Sequence, residues 1–288
     1  MRTKSITICR ASLIGLFLVG ANAAQASLIT IPETSLNDSP GVYTPNGYYT
    51  NDLGPNIVTT GGGSSANVGQ ADGRNDDGYM QLGLGFDFTF FDTTYSSLYI
   101  NNNGNVSFGS GISAYVPNGP TGANAPIISP FFGDVDTRSS DGVVHYNLTD
   151  DQLVVTWDNV GWFNNNSDPT NNFQLVLRGD DYTVPTGEGS IGFFFGTMGW
   201  AATDTNDVAA SGFGDGLGDG EVIEGSLESG LNSVLENKYI WFDEDLDVVE
   251  QPPAQVPEPG TLALLTLGLV AGGMARRKRA MPPATRPG

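Results

Sequence analysis

Cysteine and histidine are almost absent from this sequence, and their scarcity excludes several kinds of site. The 288 residues include one cysteine and one histidine. Cys9 falls in an N-terminal segment that we expect to be removed, so the mature chain can form neither a disulfide nor a cysteine-based zinc site. His145 stands in a short apolar run that predicts a strand, and the motifs of serine hydrolases and P-loop enzymes are missing. No catalytic residue is predicted.

Basic residues are scarce as well. The chain has 12 lysines and arginines against 32 aspartates and glutamates. Residues 27–258, which lie between the two terminal segments described below, keep four of the basic residues and all 32 acidic ones. Such a surface repels nucleic acid and anionic lipid and attracts divalent cations. The composition therefore excludes a nucleic-acid partner.

Long hydrophobic runs occur only near the two ends of the chain. Residues 1–26 begin with basic residues, continue with an apolar run at 13–19 and end in small residues. This order is typical of a secretory signal peptide. We expect a signal helix, export by the Sec translocon and cleavage after Ala26, with Ala24 and Ala26 as the small residues. Cleavage after Ala23 is the second choice.

The second apolar run, residues 260–275, lies close to the C-terminus. It is uncharged and somewhat shorter than the ~20 residues of a typical transmembrane helix. We predict that it crosses the inner membrane at least transiently, with the basic cluster after it in the cytoplasm. The flanking residues are Pro257, Glu258 and Pro259 before the run, and Arg276, Arg277, Lys278 and Arg279 after it.

These three features together resemble the PEP-CTERM sorting signal over residues 256–279. The resemblance implies processing near the Pro-Glu-Pro by an exosortase, a membrane-embedded protease of Gram-negative bacteria that make exopolysaccharide. It also implies that the protein reaches the cell envelope, the outer surface or the extracellular matrix. A plain membrane anchor that happens to follow Pro-Glu-Pro is the alternative.

Short strands and turns dominate the sequence between the two ends. Leu82 to Phe90 alternates apolar residues with polar residues or glycine, which predicts a half-buried strand with one aromatic face. Residues 101–105, rich in Asn and Gly, predict a hairpin turn. One short helix is expected around residues 227–235, with Ser226 as its N-cap. Further strands are predicted at residues 127–132, 143–146, 153–157, 173–177, 191–195 and 239–242.

We therefore predict an all-β fold, an antiparallel β-sandwich-like domain with one short helix, flanked by an N-terminal signal helix and a C-terminal transmembrane helix. The β domain is expected at residues 75–242, after a loop-rich leader at 27–74 that holds at most one or two edge strands. An acidic, proline-bearing spacer at 243–256 precedes the sorting signal at 257–279.

Several segments of the central region carry a second resemblance. They are residues 74–78, 88–91, 95–104, 106–108, 128–136, 142–146, 157–161, 173–177 and 209–213. In order and spacing they are similar to the nidogen-like (NIDO) extracellular domain. The resemblance implies an extracellular, mostly β module of adhesion and matrix proteins, without catalytic residues common to the family.

The sequence requires no cofactor, but clustered acidic residues make calcium a candidate, because Ca²⁺ takes ~6–8 oxygen ligands. None of the clusters matches an EF-hand loop, and solvent-exposed acidic turns are the alternative. The three clusters are Asp72, Asn75, Asp76 and Asp77; Asp134, Asp136 and Asp141; and Asp215, Asp219 and Glu221. The residues that we select as candidate ligands are Asp134, Asp136, Asp215, Asp219 and Glu221.

Aromatic residues beside Asn-rich loops provide the last candidate site. Trp162 and Trp200 could stack on sugar rings, although packing in the interior is the alternative for such residues. Three function classes remain open. A surface or matrix interaction protein, with exopolysaccharide or other surface proteins as partners, comes first; a carbohydrate-binding module of the exopolysaccharide matrix comes second, and a secreted hydrolase third.

Overall fold

The computed structural model describes residues 29–59, 72–115, 118–139 and 141–251. The predicted signal peptide, with Ala24 and Ala26, lies outside these ranges, and so does the sorting signal with residues 257–259 and 276–279. Within the ranges that are described, no helix is long and apolar enough to cross a membrane.

The described residues form fifteen strands and one short α-helix, α1, at Leu231–Leu235. In chain order the strands are β1 (Ile29–Ile31), β2 (Asn37–Asp38), β3 (Asn56–Ile57), β4 (Tyr79–Phe90), β5 (Thr93–Asn101), β6 (Asn105–Ser107), β7 (Ile127–Phe132), β8 (Val135–Asp136), β9 (Val144–Leu148), β10 (Gln152–Trp162), β11 (Asn166–Arg178), β12 (Ile191–Met198), β13 (Ala210–Gly214), β14 (Gly220–Ile223) and β15 (Lys238–Phe242).

The strands are arranged in two sheets. The first sheet has the order β1-β14-β13-β7-β6-β5-β4, and the second has the order β2-β15-β12-β11-β10-β9-β3, with β8 added on β10. The named strands pair antiparallel, except for β1 and β14, which pair parallel.

One apolar core lies between the two sheets. Phe173 and Leu175 of β11 point into it, as the alternation of that segment predicts. The ring of Trp157 stacks on Phe173 at 5.0 Å between centroids, and Phe131 of the first sheet lies 5.4 Å from Phe173. Burying each such side chain stabilises the fold by about 1.5–3 kcal/mol. The predicted all-β, antiparallel fold with one short helix is confirmed.

A smaller apolar layer covers the opposite face of the second sheet. Phe194 and Trp241 lie on this face, because they alternate with core residues along β12 and β15. Tyr43 and Tyr49, from the segment predicted as a loop-rich leader, pack on Phe194 at 5.2 and 5.4 Å between centroids. The leader also supplies β1, β2 and β3, so it adds three edge strands where one or two are expected.

The residues that follow β15 pack on the domain as well. The backbone N–H of Val249 donates to the carbonyl of Trp241 at 2.9 Å, and Val248 forms a bridge with Phe242. Leu246 and Val248 contact the main core. Residues 243–251, the first part of the predicted spacer, therefore fold back onto the sheets, because their apolar side chains can be buried there.

The short helix is not capped as predicted. It begins at Leu231, after Gly230 at the N-cap position, and Gly230 offers no side-chain hydrogen bond. The Ser226 hydroxyl instead accepts from the N–H of Ser211 at 3.0 Å and donates to the carbonyl of the same residue at 3.2 Å. The prediction of Ser226 as the cap is wrong, because β13 already uses its hydroxyl.

The sequence does not predict strands β13 and β14, which carry few apolar residues. Gly212 of β13 has φ +146, and a Cβ atom at that position would lie 2.0 Å from the carbonyl oxygen of Glu221. The close approach of the two strands therefore requires glycine here, at a position where a propensity argument disfavours a strand.

Candidate functional site

Three aspartates come together at one end of the sandwich. Asp76 and Asp77 lie just before β4, and Asp134 lies between β7 and β8. One carboxylate oxygen from each residue lies within 4.8 Å of the other two. In the described part of the chain this is the one group of three or more acidic, histidine or cysteine side chains close enough to share a metal ion. We call it the aspartate triad.

The backbone around the triad is held by the hairpin between β5 and β6. Asn103, in the turn of this hairpin, donates to Asp77 Oδ1 at 2.8 Å, and its own Oδ1 accepts from the N–H of Val135 at 3.0 Å. Asp77 has φ +60, a left-handed conformation that aspartate tolerates better than most residues. Asp76 forms a backbone bridge with Asp136. Asn103 thus connects the two segments that carry the triad.

The carboxylate of Asp134 is buried without partners. Its residue is 2% exposed, and neither carboxylate oxygen accepts a hydrogen bond from the described residues. Oδ1 of Asp76 is buried and unpartnered in the same way. Leaving a buried acceptor unsatisfied costs about 1–3 kcal/mol, and more when the group is charged. The triad therefore contains acceptors that the described chain does not use.

Burial also shifts the acid–base behaviour of the triad. Burial raises the pKa of Asp134 to about 8, and the charges of neighbouring aspartates, first Asp77 and then Asp76, act in the same direction. Burial and the nearby Asp136 raise the pKa of Asp76 to about 7, against the opposing effect of Arg138. Burial raises the pKa of Asp77 too, while the hydrogen bond from Asn103 opposes the shift. The site disfavours three negative charges unless a cation is present.

Asp136, which the sequence selects as a candidate ligand, is already paired. It is fully buried, and its two carboxylate oxygens accept from Nε and Nη2 of Arg138 at 2.9 and 2.6 Å. The N–H of Asn165 also donates to Asp136 at 2.9 Å. Nη2 of Arg138 reaches Oδ2 of Asp76 as well, at 2.6 Å. Asp136 therefore has its own counterion and lies outside the triad.

The other predicted acidic groups do not form a metal cluster. Asp215, Asp219 and Glu221 lie in and after the turn between β13 and β14. Oδ1 of Asp215 accepts from three backbone N–H groups of that turn, at 2.7–3.0 Å. The carboxylate of Asp215 thus stabilises a hairpin turn. Asp72 and Asp141 are exposed and are not part of the triad.

The two tryptophans selected as sugar platforms are buried. Trp162 is 9% exposed and Trp200 is 5% exposed, and their rings lie 5.9 Å apart between centroids. Nε1 of Trp200 donates to the carbonyl of Val160 at 3.2 Å. Both rings belong to the main core, so their faces are not open for stacking on a sugar in this structure.

The sequence places the members of the triad in two separate clusters. Asp76 and Asp77 belong to the first cluster and Asp134 to the second, and the structure combines part of each. Asn103 is missed altogether, because an Asn in a predicted hairpin turn is explained by its turn conformation alone. Oxygen atoms are the donors of this site, which suits hard divalent cations such as Ca²⁺ and Mg²⁺ rather than zinc or copper.

Two family models match this chain. The model of NIDO-related domains matches residues 56–216, and the model of the PEP-CTERM protein-sorting motif matches residues 255–279. No solved structure was found to match the chain.

Among curated proteins the chain is similar to alpha-tectorin and nidogen. Alpha-tectorin of Gallus gallus is 29% identical over 132 residues, which cover 36% of this chain and 6% of that protein. Nidogen of Drosophila melanogaster is 28% identical over 122 residues, which cover 33% of this chain and 9% of that protein. The chain thus spans less than a tenth of these relatives. Because the family match covers more than half of the chain, the protein belongs to the NIDO-related family, and its sorting motif makes it an exported protein of the cell envelope.

Proposed function

We propose that this protein is an adhesion or matrix-interaction protein of a Gram-negative cell surface, released or transferred when an exosortase cleaves its C-terminal signal. The observation that carries the proposal is the presence of both a NIDO-related domain and a PEP-CTERM motif in one chain. The names of the similar proteins, nidogen and alpha-tectorin, agree with a NIDO domain that works outside the cell.

The position of the domain supports processing at the Pro-Glu-Pro. The packed residues of the β domain continue to Val249, and the N–H group of the Gln251 side chain donates to the carbonyl of Gly187 at 2.7 Å. The matched sorting motif begins only at residue 255. A cut near Pro257 to Pro259 therefore removes the apolar run and the basic cluster while every described contact of the domain is kept.

Interaction rather than catalysis is the activity that the site chemistry supports best. The described histidine, His145, is half-buried in β9, and burial lowers its pKa. The two tryptophans on which the carbohydrate-binding alternative depends lie in the core. We therefore place protein or matrix adhesion first, with exopolysaccharide or other surface proteins as its partners. The net negative charge of the chain keeps such a domain soluble and sets a preference for basic or cation-bridged partners.

The test uses the full-length gene in an exosortase-bearing host, with Glu258→Ala as the variant and Glu250→Ala as the matched control outside the motif. We expect the wild type and the control to yield an extracellular form whose intact mass ends near Pro257 to Pro259. Glu258→Ala should yield a larger, membrane-retained form, and its cells should lose attachment in the same degree as cells without the gene.

Equal mass and equal fractionation of all three forms would show that the tail is a simple anchor. Normal attachment of cells without the gene would refute adhesion.

A further inference from the structure

The spacing of the aspartate triad fits one bound calcium ion. Oxygen ligands lie 2.3–2.6 Å from Ca²⁺, so two oxygens on the same ion are at most about 5 Å apart. The three carboxylate oxygens of the triad already lie within 4.8 Å of one another. Mg²⁺ holds its ligands at about 2.0–2.1 Å, which limits the same separation to about 4.2 Å and demands octahedral geometry. Ca²⁺ accommodates every oxygen separation up to this bound, whereas Mg²⁺ accommodates only the shorter ones.

A second, independent observation points to a ligand at the same place. Both oxygens of Asp134, a residue that is 2% exposed, lack any hydrogen-bond donor among the described residues. The buried Oδ1 of Asp76 lacks one too. An acceptor that is buried and unused costs stability unless a cation, a proton or a water completes it. These oxygens belong to two of the three residues whose carboxylates converge.

Arg138, which contacts the triad at Asp76, shares its positive charge with Asp136. Nη2 of Arg138 contacts both Asp76 and Asp136, and Nε of Arg138 donates to Asp136. Asp134 forms no ion pair within the described ranges. Asp134 thus has no counterion among the described residues, and a bound divalent cation would supply one.

We propose that Asp76, Asp77 and Asp134 bind one Ca²⁺ ion, which fastens the segment before β4 to the connection between β7 and β8. Water completes the coordination of ~6–8 oxygens that this ion takes. Asn103 is a positioning residue, because it holds both segments by hydrogen bonds. The mature chain has no cysteine for disulfides, so a bound ion supplies a cross-link that an exported domain can acquire outside the cell.

The test uses the exported protein, stripped with EGTA and then titrated with CaCl₂. We expect saturable heat in calorimetry, one ion per chain, and a rise in Tm of about 3–10 °C at saturation. Terbium ions should bind at the same place and show luminescence sensitised by tryptophan. Trp200 is the donor that we expect, because a Cβ atom added to Gly133, the residue next to Asp134, would lie 3.1 Å from the ring of Trp200.

The variant Asp134→Asn and its control Asp141→Asn separate the site from general acidity. Asp134→Asn should lose the calcium-dependent rise in Tm and most of the terbium signal, while it melts at least as high as the wild type in EGTA. Asp141→Asn changes an exposed carboxylate outside the triad and should behave as the wild type.

If Asp134→Asn does not fold, Asp77→Asn takes its place, with the same expected loss of the rise in Tm. A wild type without a calcium response, an equal response in the triad variant, or an equal response to MgCl₂ would overturn the assignment.

Discussion

Two buried charged sites in this domain are built in opposite ways. Arg178, at the end of β11, is fully buried on the outer face of the second sheet. Its Nη1 donates to the carbonyl of Gly189 at 2.9 Å and its Nε to Oε1 of Gln152 at 3.2 Å, while Nη2 forms an ion pair with Glu188. The ring of Trp241 lies 4.4 Å from the guanidinium carbon. Each of the three guanidinium nitrogens thus has a partner within the described chain.

The aspartate triad is incomplete by comparison. Asp134 is as deeply placed as Arg178, but neither of its carboxylate oxygens has a donor in the described residues. Within the triad, Arg138 forms an ion pair with Oδ2 of Asp76. Burial of a charge therefore does not by itself identify a binding site. The informative feature is a buried carboxylate that the described residues leave without a partner.

Removing Arg178 should have the largest effect. Arg178→Met leaves the carboxylate of Glu188 in place without its counterion, and breaking a buried ion pair from one side costs about 3–5 kcal/mol. Urea unfolding in EGTA measures this loss in the free energy of unfolding. The double variant Arg178→Met with Glu188→Gln is the control, and it should recover part of the loss because no charge is left behind. A loss below about 1 kcal/mol in the single variant would mean that the site is not a coupled unit.

Removing Arg138 should have a smaller effect, and one that depends on calcium. Its side chain is 34% exposed, so solvent screens part of its attraction to Asp136, and we expect Arg138→Met to cost about 1–2 kcal/mol in EGTA. With calcium at saturation the loss should shrink, because the ion in the triad offsets the charge of the neighbouring carboxylates. Urea unfolding in the two buffers gives both values. Equal losses in EGTA and in calcium would show that the triad and the Arg138 pair act independently.

The two sheets follow from sequence patterns wherever strands carry alternating or continuous apolar residues. The segments Leu82–Phe90 and Phe173–Leu177 are predicted as strands and lie within β4 and β11. The predicted strand at residues 127–132 coincides with β7. Strands β13 and β14 are not predicted, because their glycines allow the two backbones to approach closely. A requirement of this kind leaves no periodic pattern of apolar residues in the sequence. Strands with a buried apolar face can therefore be predicted from the sequence, whereas strands that depend on close backbone approach cannot.

The triad could be predicted only in pieces. Its residues are recognisable as candidate calcium ligands from their type and local spacing, but which of them meet depends on the pairing of β5 with β6 and of β6 with β7. Asp136 and Asp134 stand two positions apart in sequence, yet the carboxylate of Asp136 is bound by Arg138, whereas that of Asp134 has no hydrogen-bond partner among the described residues. Only the folded structure separates an aspartate that has been neutralised from one that has not.

The exposed pair of Lys238 and Asp38 should contribute the least to the free energy of unfolding among the three charge pairs compared. Nζ of Lys238 lies 2.7 Å from Oδ1 of Asp38, a shorter distance than most contacts of Arg178, but the side chain of Asp38 is 86% exposed. Solvent screens such a pair, so Lys238→Ala should lower the free energy of unfolding by less than about 0.5 kcal/mol, and added salt should erase even that difference. Urea unfolding at low and high ionic strength measures both. The backbone pairing of β2 with β15 holds this edge without the ion pair. A loss comparable to that of Arg178→Met would mean that distance, rather than burial, sets the value of a charge pair in this protein.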